Sequence, residues 1–227
     1  MSIVYILNIE TATKNCSVSV SRNGELVALK ELSDEQFNHA EKLHVFISSV
    51  LEEAAIGLND LQAIAVSKGP GSYTGLRIGV SAAKGLCYAL NIPLIAVDTL
   101  KILAEAITVD NGFIVPMIDA RRMEVFTQKF NAAKKAISVA EALILTADSF
   151  QEMDQTVHLC GDGALKCKEV LTNDKFVYQD AVVYPSAKEM CVLAYQKYLA
   201  EQFEDVAYFE PFYLKDFMLT TKKKTPI

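Results

Sequence analysis

The sequence predicts an α/β fold in two lobes, each an antiparallel strand meander followed by alternating helices and strands. Three observations predict it: an Asn-Gly turn between two strand-like runs near the start, a strand, glycine-rich loop and helix in succession over residues 63–90, and a partial repeat of the whole plan after residue 112.

In chain order, an apolar run at residues 3–9 and an alternating stretch at 16–21 read as strands, and Asn23-Gly24 leads into Glu25-Leu26-Val27-Ala28-Leu29. Asn-Gly suits the left-handed backbone of a tight hairpin, so a meander starts the fold. Asn38 and Glu41 have the spacing of a capping pair. Behind them Leu43, Phe46, Ile47, Val50, Leu51 and Ala54 recur at the spacing of one apolar helical stripe. A buried strand at 63–67 enters the loop Lys68-Gly69-Pro70-Gly71-Ser72-Tyr73-Thr74-Gly75, and a second helix continues to about Leu90, before Pro93.

That second helix carries two stripes, Leu76, Val80, Ala83, Cys87 and Leu90 on one side and Ile78, Ala82, Leu86 and Ala89 on another. A helix apolar on most sides has to be covered on most sides, and Gly75, Gly79, Ala82, Ala83 and Gly85 keep its surface low enough for a close neighbour. The covering layer is either internal or another subunit. A strand at 94–97 and a helix around 100–106 complete a first lobe, residues 1–108. The turn Asp110-Asn111-Gly112 opens the second lobe, residues 109–227. Its strands are expected at 113–118 and 124–130, on either side of Asp119-Ala120-Arg121-Arg122, near 142–146, and at 157–160. The last of these runs into Gly161-Asp162-Gly163 and a helix. A final helix over 186–202 starts at Ser186 behind Pro185, and the C-terminal segment either stays with this lobe or packs back on the first.

With 227 residues, 51% of them hydrophobic, the chain can bury a substantial core, and its apolar runs fall short of the roughly 20 residues that span a bilayer. A soluble, cytoplasmic protein without membrane association is expected. Five cysteines with no C-x-x-C pair argue for buried thiols over a disulfide framework or a zinc knuckle. The net charge of −6 works against a large nucleic-acid-binding face.

Few residues carry obvious chemistry. The glycine loop has two generic readings, an anion cradle ahead of a helix N-terminus or a tight turn that holds the helix close to the sheet. It matches neither the Walker nor the Rossmann pattern, and no G-x-S-x-G elbow or kinase signature set occurs. His39 and His44, five apart, stand about 140° apart around a helix, a poor arrangement for one metal ion. The expectation is a solvated His39 and a packed or interfacial His44. His158 and Cys160 share a strand face but do not make a site. Lys222-Lys223-Lys224 is read as a terminal tract, with contact to RNA as the alternative.

The glycine loop resembles the G-P-G-S-[FY]-T-G-L-R-[IV]-G signature of the TsaB (YeaZ) family and its catalytic paralogue TsaD. The opening Ile6-Leu7-Asn8-Ile9-Glu10-Thr11-Ala12-Thr13 with Cys16-Ser17-Val18, the segment Asp119-Ala120-Arg121-Arg122 with Glu124-Val125-Phe126, and the closing Pro211-Phe212-Tyr213-Leu214-Lys215 are similar to further motifs of that family. Thr99 and Leu103 stand where the catalytic paralogue places an H-x-x-x-H metal pair, so the resemblance is to the non-catalytic member.

That resemblance implies an actin-like, ribonuclease H-like fold, a duplicated βββαβα plan. It implies a non-catalytic scaffold in the synthesis of threonylcarbamoyladenosine (t6A) in tRNA, pairing with TsaD and recruiting the ATPase TsaE. The chain alone would form a homodimer and meet tRNA only through the complex. ATP and Mg would serve the complex, with no cofactor, metal or catalytic residue required of this chain. The expected partner-binding residues are Leu43, Phe46, Ile47 and Leu51 on the first helix and Ile78, Ala82, Lys84 and Tyr88 on the second. A degenerate nucleotide site is expected at Glu10, Thr11 and Thr13 with Gly161, Asp162 and Gly163. Two readings from other classes stand beside it: an ATP-dependent small-molecule kinase or phosphotransferase of the same superfamily, and a metal-dependent hydrolase.

Overall fold

The computed structural model describes residues 3–33 and 39–215, so Asn38 of the capping pair and Lys222-Lys223-Lys224 lie outside the described residues. Two mixed sheets form the two lobes. In the first, β1 (Tyr5–Glu10), β2 (Asn15–Arg22) and β3 (Glu25–Ser33) make an antiparallel meander, and β4 (Leu61–Gly69) and β5 (Leu94–Asp98) run parallel to β1, giving the order β3-β2-β1-β4-β5. In the second, β6 (Phe113–Asp119), β7 (Glu124–Thr127) and β9 (Glu141–Ile144) are antiparallel and β10 (Val157–Cys160) and β11 (Phe176–Tyr178) parallel, giving β9-β7-β6-β10-β11; the short β8 (Phe130–Asn131) pairs with β6. The expected single strand at 124–130 is thus β7 and β8, because the chain leaves the ladder between them.

The two sheets have the same connectivity, the duplication that defines the two-lobed actin-like fold. Helices α1 (His39–Glu53) and α2 (Tyr73–Leu90) cover one face of the first sheet, where Leu43, Ile47, Val50, Val80, Ala83 and Cys87 meet Leu7, Ile9, Val18, Ile64 and Val66. Strand β2 shows why both faces are needed. Its sequence alternates Cys16, Val18, Val20 with Ser17, Ser19, Ser21; the apolar set enters the α1–α2 core, and the serines are buried on the other face.

That other face is closed by the last helix, α5 (Ala187–Leu199), which returns from the second lobe. Ser17 Oγ accepts the Ala187 N–H at 3.0 Å and Ser19 Oγ donates to the Ala187 carbonyl at 2.8 Å, so the buried hydroxyls are satisfied by the helix that buries them. The short helix α3 (Thr99–Glu105) makes the reciprocal crossing: Leu100, Leu103 and Ala104 pack with Ile114, Ile118 and Phe130 of the second lobe. Beyond α5, residues 203–215 run back along the first lobe, with Glu204 N bonded to Leu94 O and Phe212 N to Lys68 O. No helix among the described residues is long and apolar enough to cross a membrane.

Candidate functional site

Strand β4 delivers the glycine loop to the start of α2, whose first turn is capped by the Ser72 hydroxyl accepting the Gly75 N–H. Here the structure separates the two readings of the loop. A Cβ added at Gly71 would stand 2.3 Å from the Ala12 carbonyl oxygen, and one at Gly75 2.1 Å from that of Thr11. The space a phosphate would need is filled by the β1–β2 turn, and the Ser72 N–H already donates to the Ala12 carbonyl at 2.7 Å. The loop is a helix seat, with glycine required by backbone-to-backbone approach.

The expected nucleotide residues in that turn face inward. Glu10, Thr11 and Thr13 are buried. The Thr11 hydroxyl donates to the Gly75 carbonyl at 2.8 Å, and Glu10 Oε1 accepts the Ala12 N–H at 2.5 Å while Oε2 has no hydrogen-bond partner among the described residues. Burial pushes the Glu10 carboxyl up to about 7, with the Ala12 N–H pulling the other way. A carboxyl sealed in this way does not fit a metal ion travelling with phosphates. In the second lobe Gly161-Asp162-Gly163 leads into the expected helix, here the short α4 (Asp162–Leu165). A Cβ at Gly161 would meet the Met117 carbonyl oxygen at 2.1 Å, and Asp162 Oδ1 accepts the Asp119 N–H at 2.9 Å. These residues too close on their own β6, with Asp162 partly buried.

Thr99 and Leu103 point into the protein. The Thr99 hydroxyl accepts the Gly69 N–H at 3.1 Å, which ties α3 to the glycine loop, and Leu103 lies in the core between the lobes. Of the two α1 histidines, His39 departs from the solvated position expected for it, and His44 is not packed. His39 is buried with Nε2 2.7 Å from the Thr13 carbonyl oxygen, whereas His44 is exposed, because the helix turns its 39, 43, 47 and 50 positions to the sheet.

That same rotation sorts the expected partner residues. Leu43, Ile47 and Leu51 are buried against the sheet, so they shape α1 from beneath and are withdrawn from the surface. Phe46, Ile78 and Ala82 are half-buried at the edge of the same core. Lys84 is engaged within the chain, its ammonium donating to the carbonyls of Ala207 and Phe209 at 3.1 and 2.9 Å. Part of the covering layer over α2 is therefore the C-terminal segment itself, which takes the second of its two expected courses and packs back on the first lobe.

Tyr88 is 85% exposed, and on α1 Val45 is 57% exposed. A Cβ on Gly85, one turn before Tyr88 on α2, would meet nothing within 4 Å among the described residues. Beside this face Arg77 lies 4.1 Å over the Tyr73 ring and donates to the Tyr213 hydroxyl at 3.2 Å, so the glycine-loop motif and the closing motif, 136 residues apart, meet in one cluster. Arg77, Ser81, Lys84, Glu210 and Tyr213 line a cleft of about 220 Å³ there.

Residues 33–223 match the family described as "TsaD: tRNA N6-adenosine threonylcarbamoyltransferase". The tRNA threonylcarbamoyladenosine biosynthesis protein TsaB of Bacillus subtilis is 32% identical over 86% of this chain and 89% of its own length. The chain belongs to the TsaB (YeaZ) family. The TsaB protein of Escherichia coli K12 is 29% identical over 93% of this chain and 94% of its own. YeaZ from Pseudomonas aeruginosa superposes with a TM-score of 0.81 at 24% identity, covering 93% of this chain and 100% of that one, which establishes the fold. The family description names the transferase, while the near-full-length relatives carry the TsaB name.

Proposed function

We propose that this chain acts in t6A synthesis as a non-catalytic subunit, offering the outward face of α1 and α2 to the catalytic paralogue TsaD. The heterodimer then recruits TsaE, and ATP and Mg are used by the complex. The names of the full-length relatives support the pathway. The observation that carries the mode of action is the pairing of a bare glycine with an exposed aromatic on one helix face. Gly85 leaves a low point where a partner helix could approach its backbone, and Tyr88 beside it has the size and rigidity of an interface anchor.

A glycine inside a helix lowers its stability by about 1 kcal/mol relative to alanine, and nothing among the described residues requires one at position 85. A partner's close approach supplies the reason. The same face would serve self-association when the paralogue is absent. The kinase reading lacks support from the first hairpin, whose carboxyl and hydroxyl are used internally.

Size-exclusion chromatography of the chain mixed with the TsaD paralogue at tens of micromolar tests this. One heterodimer peak is expected, lost for Tyr88→Asp and Gly85→Leu, both of which leave the buried face intact. Separate peaks for the unmutated pair would overturn the proposal, as would tRNA modification by this chain alone.

A further inference from the structure

The turn that in other two-lobed folds could hold a ligand is here bonded to the beginnings of both helices of the proposed partner face. The Thr13 carbonyl takes a hydrogen bond from His39, the first residue of α1, and since a carbonyl can only accept, His39 carries its proton on Nε2. The Ala12 carbonyl takes the N–H of Ser72, the cap of α2, and the Thr11 hydroxyl donates to Gly75 O one turn later. The His39 ring approaches α2 as well: its Cδ2 would be 3.4 Å from a Cβ on Gly75. Glu10 holds the turn from behind through the Ala12 N–H.

We propose that the Thr11–Thr13 turn is the positioning element of the partner face: it fixes how α1 and α2 sit relative to each other, and hence the shape that Gly85, Tyr88 and Val45 present. This deepens the function proposed above and rests on it. The physical argument is that three consecutive residues bond to two different helices in a buried, close-packed place. Such contacts transmit a displacement of one helix to the other because little slack is available. None of the three residues reaches the outer surface, so an effect on association through them has to pass through α1 and α2.

The test uses Thr11→Val, which keeps the shape and removes the hydroxyl donor, with Thr11→Ser as the variant that restores it, and His39→Leu for the α1 side. Affinity for the TsaD paralogue is measured by calorimetry, and hydrogen exchange is followed along α1 and α2 in the full chain alone. Expected are an affinity loss of about tenfold for Thr11→Val and His39→Leu, near-native affinity for Thr11→Ser, and faster exchange in both helices for either disruptive variant. Phe130→Leu, in the core shared by α3 and the second lobe, serves as an equally destabilised control with native affinity. If both disruptive variants are folded and bind as tightly as the unmutated chain, or if the control loses as much, the turn does not position the face. Should the unmutated chain fail to bind the paralogue, the proposed function falls, and unchanged exchange in α1 and α2 would then separately sink the positioning role.

Discussion

The two lobes share one plan and use it differently. In each, the strand order places the fourth strand beside the first, and a glycine after the fourth strand presses against backbone at the end of the first: Gly71 and Gly75 on Ala12 and Thr11, Gly161 on Met117. In the first lobe that contact launches α2, 18 residues long; in the second it launches α4, of 4 residues. The close approach is thus a property of the shared topology, whereas the length of the helix beyond it is not. The long helix survives where its outer face carries Gly85 and Tyr88. In the second lobe, turns over residues 147–152 and 166–170 flank the short α4, with Phe150, Met153, Cys167 and Leu171 packed in the core.

The sharpest way to break this comparison is Gly75→Ala. Its Cβ would stand 2.1 Å from the Thr11 carbonyl oxygen, so although alanine is the better helix former, a loss of about 3 kcal/mol or more is expected in urea unfolding. A gain in stability would show that the seat is loose and that the glycine has another purpose.

Next in size is Glu10→Gln. The carboxyl sits at about 7 in the folded chain against 4.5 when free. A raised carboxyl means that the folded state holds the proton more tightly, so the group costs nothing below the free value, destabilises progressively between pH 4.5 and about 7, and reaches its full cost above that. The full cost is roughly 3 kcal/mol. The amide that replaces the carboxyl can still accept the Ala12 N–H, so the variant is expected to be more stable than the unmutated chain at about pH 8, with the advantage shrinking as the pH falls toward the free value in denaturant titrations. An advantage that is flat with pH would mean that Glu10 does not titrate there.

Lys84→Met probes the self-made part of the cover over α2. It removes two hydrogen bonds to the C-terminal carbonyls while keeping the aliphatic stem, and a loss of about 1 kcal/mol is expected, with faster hydrogen exchange confined to residues 205–213. The smallest effect is the most discriminating between the lobes' uses. Gly85→Ala is expected to stabilise the chain alone by up to about 1 kcal/mol and yet weaken the pairing with TsaD, whereas Gly75→Ala is destabilising in isolation. Equal partner affinity with and without the added methyl would place the close approach elsewhere.

Much of the first lobe was legible from local pattern. The Asn-Gly hairpin, the apolar stripe of α1 and the Ser186 start of the last helix all follow from short-range preferences that the structure repeats, with Asn23 in the left-handed conformation and the Ser186 hydroxyl accepting the Lys188 N–H. The second lobe was less so. Its strands are short, β11 was missed, and one expected strand is split, since strands of two to four residues leave too little periodicity to read. Among the site residues, periodicity gave the helices of the face but not their rotation: Leu43 and Tyr88 are both apolar, and only one of them is inside.

The sequence by itself determined the longer elements, the family motifs and the absence of the histidine pair at 99 and 103, because these are local and chemical facts. Which side each element shows was decided by packing between residues far apart in the chain. The serines of β2 are buried because α5 returns across 170 residues to cover them, and His39 is inside while His44 is outside because α1 rolls its stripe onto the sheet. An amphipathic pattern specifies a face; the partner that meets it is set by the balance of burial and hydrogen bonding over the whole chain.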